Sequence, residues 1–265
     1  MRNDKSWMTA LGSVLALGAA TSHAADVSIG TGANYSSGTY GTQTTTDIWS
    51  APLSVAYKTE RWTFAASVPF VRVHGSGNVI PGTGPVDNTN PLGRGLADLL
   101  GSRPTPAADK PAGATTASGL GDVVASASYG LLSGADHGVG LNLTGKVKFG
   151  TADANKGLGT GRNDYGLALD TSKALGKWTP FGGVGWTSYG SSRYIKLRDA
   201  VNANTGLDYR LNTSDNAGVY YNYRQRISAG GASQSEVTAY WNHQFTGRVR
   251  LQTYALGGLT DGSPD

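Results

Sequence analysis

Val139-Gly140-Leu141-Asn142-Leu143-Thr144-Gly145-Lys146-Val147-Lys148-Phe149 sets an apolar side chain at every second position, with polar groups between them. Successive side chains of a β-strand point to opposite faces. Val139, Leu141, Leu143, Val147 and Phe149 therefore share one face, and Asn142, Thr144, Lys146 and Lys148 share the other. About ten residues is also the length a tilted strand needs to cross the hydrocarbon of a bilayer. A water-soluble sandwich alternates in the same way, so this strand alone leaves a membrane barrel and a soluble β fold both open.

Working outward, similar segments occur at Asp26 to Tyr35, Thr46 to Tyr57, Trp62 to Val73, Gly121 to Leu132, Asp164 to Leu175 and Trp178 to Ser188. Four more follow at Val201 to Leu211, Ala217 to Arg226, Glu236 to Gln244 and Arg248 to Gly257, making eleven. The links between them alternate in length. Short ones fall at 58–61, 133–138, 175–177, 212–216 and 246–247, and long ones at 36–45, 74–120, 150–163, 189–200 and 227–235. An up-and-down transmembrane barrel has short periplasmic turns and long extracellular loops, whereas Greek-key connections have no reason to keep that alternation.

Trp62 and Trp178 directly follow short links and Tyr57 precedes one, as a periplasmic aromatic girdle requires. Trp49, Phe70, Phe149, Trp186 and Tyr189 fall toward the opposite ends and are expected in the second girdle. Strand propensity alone also enriches aromatics.

Charged residues make up 15% of the chain, glycine occurs 39 times and mean hydropathy is -0.28, too polar for a helical membrane protein. A barrel averages out as mildly polar because only one face of each strand meets lipid. The start differs from the rest. Arg2 and Lys5 precede an apolar run from Leu11 to Ala20, and Ser22-His23-Ala24 offers a small-x-small cleavage site. Residues 1–24 are thus expected to be a removable signal peptide, with 25–265 the exported barrel. The apolar run is too short for a spanning helix. The chain has no cysteine, which excludes disulfides and thiolate metal sites. Its net charge of +4, or +3 without the leader, is too small to argue for nucleic acid as a partner.

The longest link, 74–120, is rich in Gly, Pro, Ala and Thr and contains two short apolar runs, Val79-Ile80-Pro81 and Leu96-Ala97-Asp98-Leu99-Leu100, the second fit for one helical turn. It is either a gate folded into the lumen or a mobile surface loop, and the absence of any marked binding surface slightly favours the loop.

Four stretches carry a family resemblance: Val68-Pro69-Phe70-Val71-Arg72-Val73, Gly119-Leu120-Gly121-Asp122-Val123, Leu158-Gly159-Thr160-Gly161-Arg162-Asn163-Asp164-Tyr165-Gly166 and Asp261-Gly262-Ser263-Pro264-Asp265. In this order the sequence resembles the outer-membrane transporters named for the meta-pathway of phenol degradation. That resemblance implies an outer-membrane β-barrel passing small hydrophobic or aromatic compounds, with no catalytic residue to carry over. The family pattern continues past Ser-Pro-Asp with one more strand, and eleven strands is an odd count for a bacterial barrel. Twelve strands are therefore expected, the last missing from this chain.

Chemistry is poorly represented. After the leader only His74, His137 and His243 remain, and the links place His74 and His137 at opposite ends of the barrel. His243 shares a face with Trp241, Ala239 and Val237. A nucleophile–base pair at the rim is not supported. Gly157-Leu158-Gly159-Thr160-Gly161 lacks the following helix that a phosphate loop needs, so its glycines are expected to shape a tight descent into the wall. Asp122, Asp164 and Asp170 read as rim or lumen groups, and no cofactor or metal motif is found.

Function then belongs to the lumen. By register the inward set is Asn142, Thr144, Lys146, Lys148, Asp170, Arg210, Arg224, Arg226, Glu236, Arg250 and Gln252. Its basic excess suggests a field favouring anions, while a closed core of charge-paired side chains is the competing arrangement. The expected function is passive transport of a small solute through an outer-membrane channel. The alternatives are a structural or adhesive barrel, or a secreted soluble β protein.

Overall fold

The computed structural model describes residues 26–90 and 115–264, together with the backbone path of residues 10–19. The cleavage site at 22–24 and the Leu96 to Leu100 run lie outside the described residues.

Among the described residues fifteen strands follow one another: β1 Ala10–Ala19, β2 Asp26–Gly38, β3 Thr46–Lys58, β4 Trp62–Gly75, β5 Val79–Ile80, β6 Gly84–Pro85, β7 Thr115–Leu120, β8 Val123–Leu132, β9 Gly140–Phe149, β10 Asp164–Ser172, β11 Trp178–Ser188, β12 Ala200–Arg210, β13 Asp215–Arg224, β14 Gln234–Thr246 and β15 Val249–Gly258. A helical turn, α1 Gly134–His137, sits in the short link before β9. The protein is an antiparallel up-and-down β-barrel in which each wall strand pairs with its sequence neighbours. β7 and β8 form one wall strand broken at Gly121-Asp122: β7 pairs with β4 from Phe70 to Gly75, and β8 from Trp62 to Ser67. The backbone of β1, the apolar core of the expected leader, pairs with β15 on one side and β2 on the other.

All eleven expected segments form strands, with their ends shifted. β7 extends the wall six residues into the link expected to begin at His74. Thr115-Thr116-Ala117-Ser118-Gly119-Leu120 has too few apolar side chains to show alternation, but its backbone completes the ladder along β4. β10 stops at Ser172, and β13 stops at Arg224, leaving Arg226 exposed outside the sheet.

The two faces of the wall match the alternation. Leu53, Leu167 and Val184, near the middle of β3, β10 and β11, are all more than half exposed on the outside. The polar partners Ser50, Ser54, Ser126, Thr144, Asn204 and Asn222 alternate with such residues and turn inward. That is the arrangement of a barrel solvated by hydrocarbon, because large apolar side chains in water would contribute nothing by staying uncovered.

Aromatic rings gather at the short-turn end. Trp62 stacks on Phe64 at 5.5 Å and lies 4.8 Å from Tyr129, Trp178 lies 4.4 Å from Tyr209, and His243 sits between Trp241 and Phe245. At the long-loop end Trp49 packs 4.6 Å from Tyr35. Tyr189 departs from its expected place in that girdle. It turns inward onto a buried apolar cluster, because the loop after β11 folds over the lumen instead of continuing along the wall.

The apolar cores lie at the long-loop end. Ile80, Val86, Ile195, Ala200 and Ile227 form one, and Val73, Ala152 and Leu158 the other. Both join loop residues to the inner rim, so the long loops close the barrel end that the wall leaves open.

Candidate functional site: a capped cavity in the lumen

A cavity of about 500 Å³ lies inside the barrel beneath these loops. Its wall is contributed by Ile48, Pro52, Pro69, Val71, Val124 and Leu256 from four strands, and its roof by Val79 to Gly84. A volume of this size, whose exposed surface is mostly apolar although the charged Asp122, Lys148, Arg224 and Glu236 also border it, fits one small organic molecule.

The roof is the first part of the longest link. β5 and β6 pair as a two-stranded hairpin, with Val79 opposite Pro85 and Ile80 opposite Gly84. Val79 and Ile80 are fully buried, which corrects the expectation of a mobile surface loop for this part of 74–120. The physical reason is that Ile80 and Val86 find apolar partners in the loops after β11 and β13. Neither loop shows strand periodicity, so these partners were invisible in sequence.

Several polar groups at the cavity bond to one another or to nearby backbone, although the buried Arg224 Nε has no hydrogen-bond partner among the described residues. Tyr254 Oη donates to Asn34 Oδ1 at 2.8 Å, and the Asn34 amide donates to Ser50 Oγ at 3.3 Å. Arg224 Nη2 donates to the Thr83 carbonyl at 2.7 Å and so ties the wall to the roof. The Gln234 amide donates to the Gly262 carbonyl at 2.8 Å. Glu236 also faces the cavity, on the strand next to that of Arg224.

At one side of the cavity Lys148 Nζ meets Asp122 at 2.7 Å and Asp164 at 3.2 Å. The cluster also receives backbone donors, Ala152 N–H on Asp122 and Gly190 N–H on Asp164, each at 2.9 Å. Two stretches of the family resemblance meet here. A Cβ at Gly159 would stand 2.8 Å from the Asp122 carboxylate, and one at Gly119 would stand 3.0 Å from Leu158. The glycines thus permit the close descent of the 150–163 loop onto the break between β7 and β8.

Among the other expected inward residues, Asn142, Thr144 and Lys146 share the Lys148 face of β9. Ser128 and Thr144 hydroxyls bond each other across β8 and β9 at 2.9 Å. Arg210 and Arg250 line a second cavity of about 340 Å³ at the short-turn end, with Asp208, Asp215 and Asn216. Asp170 and Gln252 lie on inward registers of β10 and β15, and Arg226 lies outside the sheet. Between the cavities Tyr240 donates to Asp208 at 2.7 Å, and Tyr220 lies 5.9 Å from its ring. The sequence reading passed over Tyr220, Tyr240 and Tyr254 because tyrosine fits either face of a strand. Their register opposite outward Val219, Trp241 and Ala255 was the available signal.

Of the histidines, His74 bonds Thr116 at 2.8 Å at the top of the wall, and His243 bonds Asp215 at 2.7 Å on the short-turn rim. His137 lies in the turn at α1. The three do not converge on any nucleophile.

Asp87, just beyond the hairpin, accepts the Gly230 N–H at 2.9 Å and the Ser228 hydroxyl at 2.7 Å. These bonds hold its carboxyl below the ordinary carboxylate value, the backbone donor contributing most. A depressed value means the bonds contribute fully above about pH 4 and are lost as pH falls through the lowered value. Amide exchange at Gly230 is therefore expected to accelerate on acidification, beyond its intrinsic pH dependence, only below about pH 4. In Asp87→Asn that step should disappear; a step that persists would assign it to another group.

No family model and no curated protein matches this sequence. Among solved structures, an outer-membrane channel from Pseudomonas putida F1 matches with a TM-score of 0.54 and 15% identity over 98% of this chain and 100% of that one. The P. putida toluene transporter TodX matches at 0.41 and 14% over 94% and 88%. A Pseudomonas aeruginosa FadL homologue matches at 0.43 and 9% over 96% and 90%. The last two scores are too low to carry an argument, and the first shows that this chain has the β-barrel fold of an outer-membrane channel.

Proposed function

We propose that this protein is a passive outer-membrane channel for small hydrophobic molecules, single-ring aromatics among them, and that residues 1–24 direct its export and are removed. The observation that carries the proposal is the cavity, apolar over most of its wall and roof, inside a barrel whose outer surface is itself apolar. A polar core packed solid would leave no such space, and an open aqueous pore would have no roof. TodX is described as a toluene transporter, and a further similar structure, CymD, as a monoaromatic hydrocarbon channel. The long loops face outward from the cell, and the lumen residues Asn142, Thr144, Lys146, Lys148, Arg210, Arg224, Glu236 and Arg250 tune passage by their charge and hydrogen bonding.

Uptake into whole Gram-negative cells is the test, because their lipopolysaccharide leaflet excludes apolar solutes that cross a plain phospholipid vesicle unaided. Cells expressing the protein should take up radiolabelled toluene at limiting concentration several-fold faster than cells carrying an empty vector. Equal rates, with the barrel present in the outer membrane, would remove the transport proposal and leave a structural barrel.

A further inference from the structure

The hairpin that roofs the cavity is attached differently from the wall strands. Residues 76–90 contribute no strand to the wall, and β5 and β6 pair only with each other. Ile80 and Val86 rest on Ile195 and Ile227 in the loops after β11 and β13 and on Ala200 at the start of β12. Three polar ties reinforce that seat. Arg224 donates to the Thr83 carbonyl, Asp87 accepts from Ser228 and Gly230, and Thr89 donates through both its backbone N–H and its hydroxyl to the Tyr194 carbonyl, at 3.0 and 2.9 Å.

At the base of the hairpin, β4 ends on Gly75 at φ +142°, where a Cβ would collide with Thr46. The chain turns there from wall to roof in a conformation and a space open only to glycine. The unit between this turn and Asn90 can leave its seat without breaking any rung of the barrel ladder. Its contacts are side-chain packing and a few hydrogen bonds, whereas the wall beneath runs from β2 round to β15 in unbroken antiparallel pairing.

We infer that residues 76–90 are a gate that swings off the cavity as one body, with Asp87 on Ser228 and Gly230 as its latch. The inference rests on the cavity being a passage. With the gate seated, Val79 to Gly84 separate the cavity from the long-loop end. Lifting it exposes the apolar wall of Ile48, Val71 and Leu256 to an entering solute. Val79, Ile80 and Val86 lose their burial at the same time, so the seated form dominates without solute.

A disulfide tests this cleanly, since the native chain has no cysteine. A Cβ at position 230 would stand 3.2 Å from Asp87 Cγ, where a cysteine sulfur would sit, which suits a bridge in Asp87→Cys with Gly230→Cys. In planar bilayers the reduced variant should show brief ionic openings. Oxidation, verified by gel mobility, should lower open probability at least tenfold, and reductant should restore it. Equal open probability in both states would overturn the gate while leaving transport intact.

If the reduced barrel also conducts nothing, ion passage fails and the motion is read separately from thiol labelling of Ile80→Cys. Labelling should quicken at least severalfold when Asp87→Asn is added. An unchanged rate, equal to that of Thr238→Cys, which replaces a buried wall residue, would overturn the gate.

Discussion

Lys148→Met is expected to cost the barrel about 3–5 kcal/mol, because it strips the counter-ion from two carboxylates that remain buried. The Asp122 and Asp164 side chains are 8% and 6% exposed, and Lys148 Nζ reaches both. Urea unfolding of the barrel refolded in phospholipid vesicles measures the loss. Adding Asp122→Asn and Asp164→Asn should recover most of it, since an amide oxygen can still accept the Ala152 and Gly190 N–H groups without a charge to bury. A loss below about 1 kcal/mol in Lys148→Met would mean that the cluster is wetter than its burial indicates. The cluster also pins the 150–163 loop to the break between β7 and β8, so its failure would loosen the wall beside the cavity.

The wall was legible in the sequence because period-two alternation is a local property. Leu141 and Leu143 against Asn142 and Thr144 announce a strand and its two faces before anything is known of its neighbours. Alternating link lengths then gave the up-and-down order. The roof was not legible. Val79-Ile80-Pro81 is a three-residue apolar run with no period, and its burial depends on Ile195 and Ile227, more than a hundred residues away. Inward lysines and arginines could be listed from register, but their partners could not. Lys148 finds Asp122 at the break between β7 and β8 and Asp164 on β10, so a lumen whose sequence reads as basic holds this positive charge already paired. Arg226 was assigned inward by extending a strand two residues past its end, an error that any loop bend produces.

The outward face offers the second large effect. Val184 lies at the middle of β11, 54% exposed, and its neighbours across the ladder are Leu169 and Ala203. An arginine there would project into hydrocarbon and cost about 2–4 kcal/mol. Asn204 is the control. It lies on the inward register of β12, and a Cβ built at neighbouring Gly183 would contact both its amide and the Asp170 carboxylate. An arginine at 204 would therefore find an acidic partner and cost under about 1 kcal/mol.

Everything proposed for the cavity and its gate presupposes that lipid lies outside this wall and the passage inside it. Urea unfolding of Val184→Arg and Asn204→Arg in phospholipid vesicles tests that most directly. The structure predicts a loss of about 2–4 kcal/mol for the first and under about 1 for the second. Equal and small losses would place residue 184 in water and contradict the membrane barrel.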